Sequence, residues 1–229
     1  MDELFNQTLK QPWKAYCISL PRCIERRQTF TKWAKDNGLT FTFWDAFDKQ
    51  DLTTTQFELK KVLVANQYSK GATACRISHE SLWNHIVQKE SHLNTIILFE
   101  DDAGFRWKTL DELKVFLEGC QKLPPWSILQ LGFGTMTGSE LRLISSRNPP
   151  DIFQTDFCDQ THAMIYTKKA LQDMVDLSKQ DKYKTRPSDG LLLSFIQKRL
   201  GIVYAPRTSI VEQVDTISYI SNDPKVQSQ

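Results

Sequence analysis

The sequence predicts an α/β fold with a mostly parallel central sheet. Short apolar runs suited to buried strands alternate with segments of helical apolar spacing along most of the chain. A strand, a helix and a second strand follow one another within residues 15–44, and such a unit joins parallel neighbours by a right-handed crossover. With 229 residues and 40% hydrophobic content, we expect one domain over 1–229, with a core of about 14–221 and frayed termini.

The first unit is defined by its turn and stop signals. Residues 15–20 (AYCISL) are an apolar run that ends at Pro21 and predict a strand. A helix follows because Ile24, Phe30 and Ala34 recur at helical spacing, and Gly38 ends it. Residues 40–44 (TFTFW) alternate with period two, as a second strand does.

The middle of the chain leads to a cluster of acids. Helices are predicted over 53–65 and 71–90, and the β-branched run 95–99 (TIILF) predicts a buried strand. That strand runs directly into Glu100, Asp101 and Asp102. Since functional loops follow the carboxyl ends of such strands, we expect the chemistry there.

The C-terminal half repeats the alternation. Its patterns predict strands over 127–131 and 163–166 and helices over 111–120, 169–178 and 189–200. Residues 132–150, which hold three glycines and two prolines, predict a loop near the site.

Composition excludes several classes of protein. The net charge of +2 comes from 29 basic and 27 acidic residues without a basic arm, so nucleic acid is not expected as a partner. The five cysteines form no CxxC pair and are interpreted as buried thiols of a reducing compartment. No apolar stretch approaches the ~20 residues that span a bilayer, so we expect a cytoplasmic protein, with peripheral association at the inner face of a membrane as an option that its pI permits.

Three adjacent carboxylates indicate a metal. Their mutual repulsion in a partly buried loop raises their pKa values unless a cation compensates. Oxygen ligands of this kind suit Mn²⁺ or Mg²⁺, and Glu100 and Asp102 point the same way along an extended chain. A lone Asp would more often cap a helix, and the cluster alone fits a phosphatase or nuclease as well as a transferase.

Four blocks in order resemble glycosyltransferase family 25, the lipooligosaccharide-type and collagen-galactosyltransferase-like proteins. The segments that resemble the family's motifs are spread over nearly the whole chain. The first two blocks are Ile18-Ser19-Leu20-Pro21-Arg22 with Arg26-Arg27, and residues 71–79 (GATACRISH) with Trp83. The last two are residues 97–103 (ILFEDDA), and Pro187-Ser188-Asp189 with Pro206 and residues 213–218. Ser19 and Arg76 depart from the family pattern.

The resemblance implies a GT-A type, Rossmann-like nucleotide-sugar transferase fold, a UDP-sugar donor, a divalent cation and inversion at the anomeric carbon. The expected function is transfer of a hexose, galactose from UDP-galactose first, to a hydroxyl of a glycan, glycolipid or lipooligosaccharide acceptor. Two alternatives stay open: a catalytically weak nucleotide-sugar or glycan binder, which the departures allow, and a metal-dependent phosphohydrolase.

Site residues are assigned on the same basis. Arg22 and Arg26 lie just past the first strand, where α/β folds bind nucleotides, and they are expected to contact the donor; Arg27 is expected on a solvated helix face. The family match adds Gly71, Ser78, His79 and Asp101 as donor-binding residues, although spacing alone favours core roles for Ser78 and His79.

The remaining assignments concern the metal and the base. The metal ligands are expected to be Glu100 and Asp102, with His162 as a candidate third ligand that a structural role would equally explain. Inverting transfer needs a general base, for which Asp189 is the first choice and Asp101 the second. An N-cap role for Asp189 explains the pattern equally well.

Overall fold

The computed structural model describes residues 1–64, 67–105, 109–141 and 152–214. Within these ranges the helices are α1 Asp2–Leu9, α2 Ile24–Asp36, α3 Thr54–Lys60, α4 Lys70–Lys89, α5 Leu110–Cys120, α6 Lys168–Ser178 and α7 Ser188–Gln197. The strands are β1 Trp13–Ser19, β2 Thr42–Asp45, β3 Val62–Val64, β4 Gln67–Ser69, β5 Thr95–Glu100, β6 Ala103–Gly104, β7 Ile128–Gly132, β8 Met136–Leu141, β9 Ile152–Cys158, β10 Ala163–Thr167, β11 Val203–Pro206 and β12 Glu212–Gln213.

One sheet of eight strands organises the chain, in the order β2-β1-β5-β10-β7-β11-β9-β8. The pairs β1–β2, β1–β5 and β7–β11 are parallel, whereas β10 is antiparallel to both of its neighbours. Strand β9 is antiparallel to β11 and β8, so β9 and β10 run against the other six strands. The predicted α/β class with a mostly parallel sheet is confirmed, and the first predicted unit is β1-α2-β2.

Both faces of the sheet are covered. Along β5, Ile97 and Phe99 belong to one buried cluster with residues of α1, α2 and α5, whereas Ile96 and Leu98 belong to a second cluster with residues of α4, α6 and α7. Side chains alternate between the two faces of a strand. A strand buried on both faces therefore needs an unbroken apolar run, as 95–99 provides.

Two predicted elements differ from the structure. The helix predicted over 53–65 ends at Lys60, and β3 then pairs with β4 in an antiparallel hairpin. The β-branched run Val62–Val64 favours a strand over a further helical turn. The loop predicted over 132–150 contains β8, which pairs with β9; residues 142–150 lie outside the described part of the chain.

The N-terminus forms a helix that the sequence patterns did not predict. Phe5 of α1 is fully buried and packs edge-on against Trp13 with ring centroids 5.4 Å apart. The N-terminal amino group donates to the carbonyl of Asn37 at 2.5 Å. These first residues therefore join the core rather than fray. None of the helices in the described ranges combines the length and the apolar character that a bilayer crossing requires.

Candidate active site

The acidic residues lie where β1 and β5 end side by side. The two strands are parallel, with Ile18 opposite Glu100, so Ser19 and the acidic turn share one edge of the sheet. After the turn, β6 pairs antiparallel with β12, and the Val214 amide donates to the Asp102 carbonyl at 2.7 Å. These backbone bonds hold the carboxylates in a defined position.

Arg26 lies against two of the three carboxylates. Its Nη2 is 3.0 Å from Asp101 Oδ1 and 2.6 Å from Asp102 Oδ2. The Ser19 hydroxyl donates to the other Asp101 oxygen at 2.6 Å, and Gln213 approaches Asp102 Oδ2 at 3.4 Å. Both oxygens of Asp101 are thus engaged by the protein.

Glu100 turns towards α4 instead. His79 Nε2 lies 3.2 Å from Glu100 Oε1, and the Thr161 hydroxyl donates to the same oxygen at 3.3 Å. His79 is fully buried and packs edge-on against Trp83, one helical turn away. Among the described residues His79 Nδ1 has no hydrogen-bond partner.

The three carboxyls differ in their electrostatics. Burial raises the pKa of Asp101, and Arg26 and Ser19 only partly offset that rise. Burial, followed by the charge of Glu100, raises the pKa of Asp102 to about 7 despite Arg26. Burial alone would raise the pKa of Glu100 too, but the hydrogen bond and charge of His79, together with the charge of His162 and the hydrogen bond from Thr161, lower it overall.

Asp102 has one carboxylate oxygen that the described residues do not satisfy. Its Oδ1 is buried and has no hydrogen-bond partner in the described part of the chain. A buried carboxylate oxygen without a donor is costly unless a cation or a donor reaches it. A hard divalent ion fits this oxygen, because such ions use one or two carboxylates and complete their shell with phosphate oxygens and water.

His162 keeps one ring nitrogen, Nδ1, without a hydrogen-bond partner among the described residues, so its role as a metal ligand stays a prediction. It is buried, and its Nε2 is 2.8 Å from the Val211 carbonyl; a side chain on Gly132 would overlap with its ring. In the described residues, the set of three metal-ligating atoms that lie together is Cys75 Sγ, a ring nitrogen of His79 and a carboxylate oxygen of Glu100, all within 4.8 Å of one another. That set includes neither Asp102 nor His162.

The arginines after β1 divide into two groups. Arg26 reaches the acidic turn, whereas Arg22, which is partly exposed, pairs with Asp48. Arg27, which was expected on a solvated helix face, is only partly exposed, with 22% of its side chain accessible. It donates to the Ser19 carbonyl at 2.8 Å and to Asp45 at 2.5 Å, and it covers the Phe43 ring at 4.7 Å. Arg27 therefore joins the ends of β1 and β2.

Helix α4 carries the other predicted donor residues. Gly71 is buried in its first turn, and the Ser78 hydroxyl both donates to the Ala74 carbonyl at 2.7 Å and accepts from the Phe47 amide at 2.9 Å. These bonds give Ser78 a structural role, tying the segment after β2 to α4. A donor contact by Gly71 or Ser78 stays a prediction.

Asp189 lies in the first turn of α7, whose N-cap is Pro187. Asp189 Oδ1 accepts from the Gly190 amide at 2.7 Å. Burial and then the charges of Glu100, Asp189 and Asp102 raise the pKa of the Cys75 thiol. Asp189 is thus close enough to act on a residue that itself lies beside Glu100.

Sequence reasoning missed Cys75 and Thr161 as neighbours of Glu100. Cys75 and His79 are four residues apart on one helix, a spacing that places them on a common face. The sequence did not show that Glu100 faces them. For Thr161, no signal in the sequence pointed to the contact.

The fold around this edge of the sheet is a GT-A type, Rossmann-like α/β fold. The sequence model of glycosyltransferase family 25 (LPS biosynthesis protein) matches residues 13–133, which include β1, α4 and the acidic turn. The chain belongs to glycosyltransferase family 25.

Individual proteins agree with this class. The chain is 25% identical over 154 residues to a protein of Acanthamoeba polyphaga mimivirus that is named a glycosyltransferase; the match covers 66% of the chain but 45% of that relative, so the chain spans under half its length. A crystal structure of a glycosyltransferase involved in glycosylation of the major capsid of PBCV-1 superimposes with a TM-score of 0.53 at 11% identity, over 90% of this chain and 94% of that one. At that identity the likeness concerns the fold alone.

Proposed function

We propose that the protein is an inverting, divalent-metal-dependent glycosyltransferase that moves a hexose, galactose from UDP-galactose first, to a hydroxyl of a glycan, glycolipid or lipooligosaccharide acceptor. The observation that carries the proposal is the acidic turn after β5, where Asp102 keeps a buried oxygen without a donor beside Arg26. Family membership supplies the reaction class. We further propose a cytoplasmic protein that meets a lipid-linked acceptor at the inner face of a membrane.

In this proposal Glu100 and Asp102 hold Mn²⁺ or Mg²⁺. The ion supplies charge neutralisation for the diphosphate of the donor as the bond to the sugar breaks. An ion held by these side chains keeps ligand positions for phosphate oxygens and water. His162 stays the candidate third ligand through Nδ1, which is buried and has no hydrogen-bond partner among the described residues, whereas Nε2 contacts the Val211 carbonyl.

Arg26 provides a fixed positive charge beside the same diphosphate. Its guanidinium has several donors in a planar fork, and Asp101 and Asp102 hold that fork at the carboxyl edge of the sheet. Asp101 positions Arg26 rather than accepting a proton from the acceptor, since Ser19 and Arg26 occupy both of its oxygens.

Asp189 is then the general base that takes the proton of the acceptor hydroxyl. It is partly exposed, in contrast to the buried Asp101, so an acceptor can approach it. The charge of Asp189 acts on the Cys75 thiol, which itself lies beside Glu100, and this supports a role for Asp189 near the acidic turn.

The test uses slow donor hydrolysis, which requires no acceptor. UDP release is measured from a panel of UDP-sugars with Mn²⁺, with Mg²⁺ and with EDTA, in wild type, Asp102→Asn and Asp173→Asn. Asp173 is a matched control because its carboxylate pairs with Lys169 within α6 and is assigned no part in the site. We expect one sugar to be turned over only with metal, in wild type and Asp173→Asn alone. UDP release that does not need metal would reject the proposal. So would the absence of UDP release from every donor, if calorimetry also detects no donor binding.

A further inference from the structure

Cys75, His79 and Glu100 form a set of ligands that differs in kind from the carboxylates of the acidic turn. Their ligand atoms lie within 4.8 Å of one another. We propose that they bind a thiophilic divalent ion of the Zn²⁺ class, and that an ion bound there withdraws Glu100 from the donor metal and inhibits transfer. The binding half stands alone, whereas the inhibition rests on the proposed function.

The geometry is close to that of a tetrahedral site. Bonds of about 2.0–2.3 Å to zinc place neighbouring ligand atoms about 3.3–3.8 Å apart. His79 Nε2 and Glu100 Oε1 are already at 3.2 Å, and the thiol sulfur, which lies within 4.8 Å of both, has to approach by at most about 1.5 Å. A side-chain adjustment suffices for that, because Cys75 and His79 sit one turn apart on α4, which begins at the Ser69 cap.

His79 and Glu100 are each held in place by a neighbouring side chain. His79 is fully buried and packs against Trp83, while the Thr161 hydroxyl donates a hydrogen bond to Glu100 Oε1. The scaffold therefore presents nitrogen and oxygen before an ion arrives, which lowers the cost of ordering them. Three protein ligands leave a fourth position for water.

Charge favours the ion. One thiolate, one carboxylate and a neutral imidazole make a neutral unit with a divalent cation, and a partly buried place penalises any other total. On binding, the Cys75 thiol releases its proton to solvent. His79 binds the ion through Nε2, which gives up its proton to solvent, and keeps a proton on Nδ1, the nitrogen that has no partner among the described residues.

The ligand types select the metal. Thiolate and imidazole bind Zn²⁺ and Co²⁺ more strongly than Mn²⁺ or Mg²⁺, which prefer carboxylate, phosphate and water. The same Glu100 carboxylate therefore serves either a soft ion with Cys75 and His79 or a hard ion with Asp102. Because the Glu100 carboxylate cannot bind both ions equally well at the same time, we expect zinc to compete with manganese.

The binding test uses Co²⁺ as the probe and the full chain. Titration of wild type should give thiolate-to-cobalt charge-transfer absorption in the near ultraviolet and tetrahedral ligand-field bands in the visible. Cys75→Ala and Cys75→Ser should lose the charge-transfer absorption and bind at least about 10- to 100-fold more weakly. Cys120→Ala is the matched control, since Cys120 is a buried thiol in the apolar cluster that contains Ile97 and Phe99 of β5.

Each outcome decides one half of the proposal. The proposed zinc-class site is overturned if a folded Cys75 variant keeps the wild-type cobalt spectrum. It is also overturned if the wild type shows no charge-transfer absorption. Neither outcome depends on whether a donor is turned over. If Mn²⁺-dependent UDP release is found, micromolar Zn²⁺ should suppress it in wild type and Cys120→Ala but not in Cys75→Ser. Equal suppression in Cys75→Ser overturns the inhibition while leaving the binding result intact.

Discussion

Asp102→Asn should make the metal-free protein more stable at pH 8 while it removes the metal-dependent activity. The folded state raises the pKa of the Asp102 carboxyl from 3.8 to about 7, through burial first and then the charge of Glu100. The native state therefore holds this proton more tightly than the unfolded chain. Stability present at low pH is lost as the pH rises from about 4 to about 7, and the loss is complete above that.

The magnitude follows from the same shift. At 1.36 kcal/mol for each unit of pKa, the ionised carboxylate lowers the free energy of unfolding by about 4 kcal/mol at most. Relaxation of the site reduces this figure, so we expect about 1–4 kcal/mol. A domain of this size gains about 2–4 °C in Tm for each kcal/mol, and asparagine keeps the shape and the acceptor oxygen for Arg26.

The assay is thermal unfolding in EDTA at pH 5 and pH 8, followed by circular dichroism. Asp48→Asn is the control with the opposite sign, because the hydrogen bond from Arg22 lowers the pKa of Asp48, so its charge stabilises the fold by up to about 1 kcal/mol. Mn²⁺ should raise the Tm of wild type at pH 8 more than that of Asp102→Asn. An Asp102→Asn protein that melts at or below wild type at pH 8 would refute the electrostatic argument.

Three further substitutions test the site and its support. Gly132→Ala should lower the free energy of unfolding in urea by about 1–3 kcal/mol, since the new Cβ would lie 2.2 Å from His162 Nε2 and 2.6 Å from the Val211 carbonyl; unaltered stability would contradict this packing. Asp189→Asn should reduce kcat by about 10²–10⁴-fold with little change in Tm, and near-normal turnover would remove it as the base. Arg26→Gln should raise KM for the donor about 10- to 100-fold, the loss of a charged hydrogen bond, and an unchanged KM would separate it from the diphosphate.

The acidic turn was predictable because its strand carries a strong signal. Residues 95–99 are buried on both faces, so their apolar run had no polar interruption before Glu100. Membership of a family added the order of the blocks. By contrast, α1 has eight residues, too few to be stable alone, and Phe5 is buried only because β1 and α5 lie over it in the folded chain.

The contacts of the site were less predictable, since they join distant segments. Spacing put Cys75 and His79 on one helical face, but their position opposite Glu100 depends on how α4 packs on β5. Helical periodicity predicted a solvated face for Arg27, since it does not register contacts with distant segments. The partner of Arg27, Asp45, lies 18 residues further along the chain. A local pattern fixes which side chains share a face and leaves open what that face meets.

The three carboxylates of the acidic turn are stabilised to different degrees by their neighbours. His79 stabilises Glu100, and Arg26 and Ser19 stabilise Asp101. In the metal-free state the uncompensated repulsion falls on Asp102, whose pKa is raised to about 7 by burial and then by the charge of Glu100. A divalent ion at Asp102 removes this cost, and its binding energy is therefore coupled to the stability of the fold. An ion at Cys75 and His79 acts on the same balance through Glu100, because it neutralises the charge that raises the Asp102 pKa. The two proposed metal positions would thus be coupled electrostatically even where they do not compete for an oxygen.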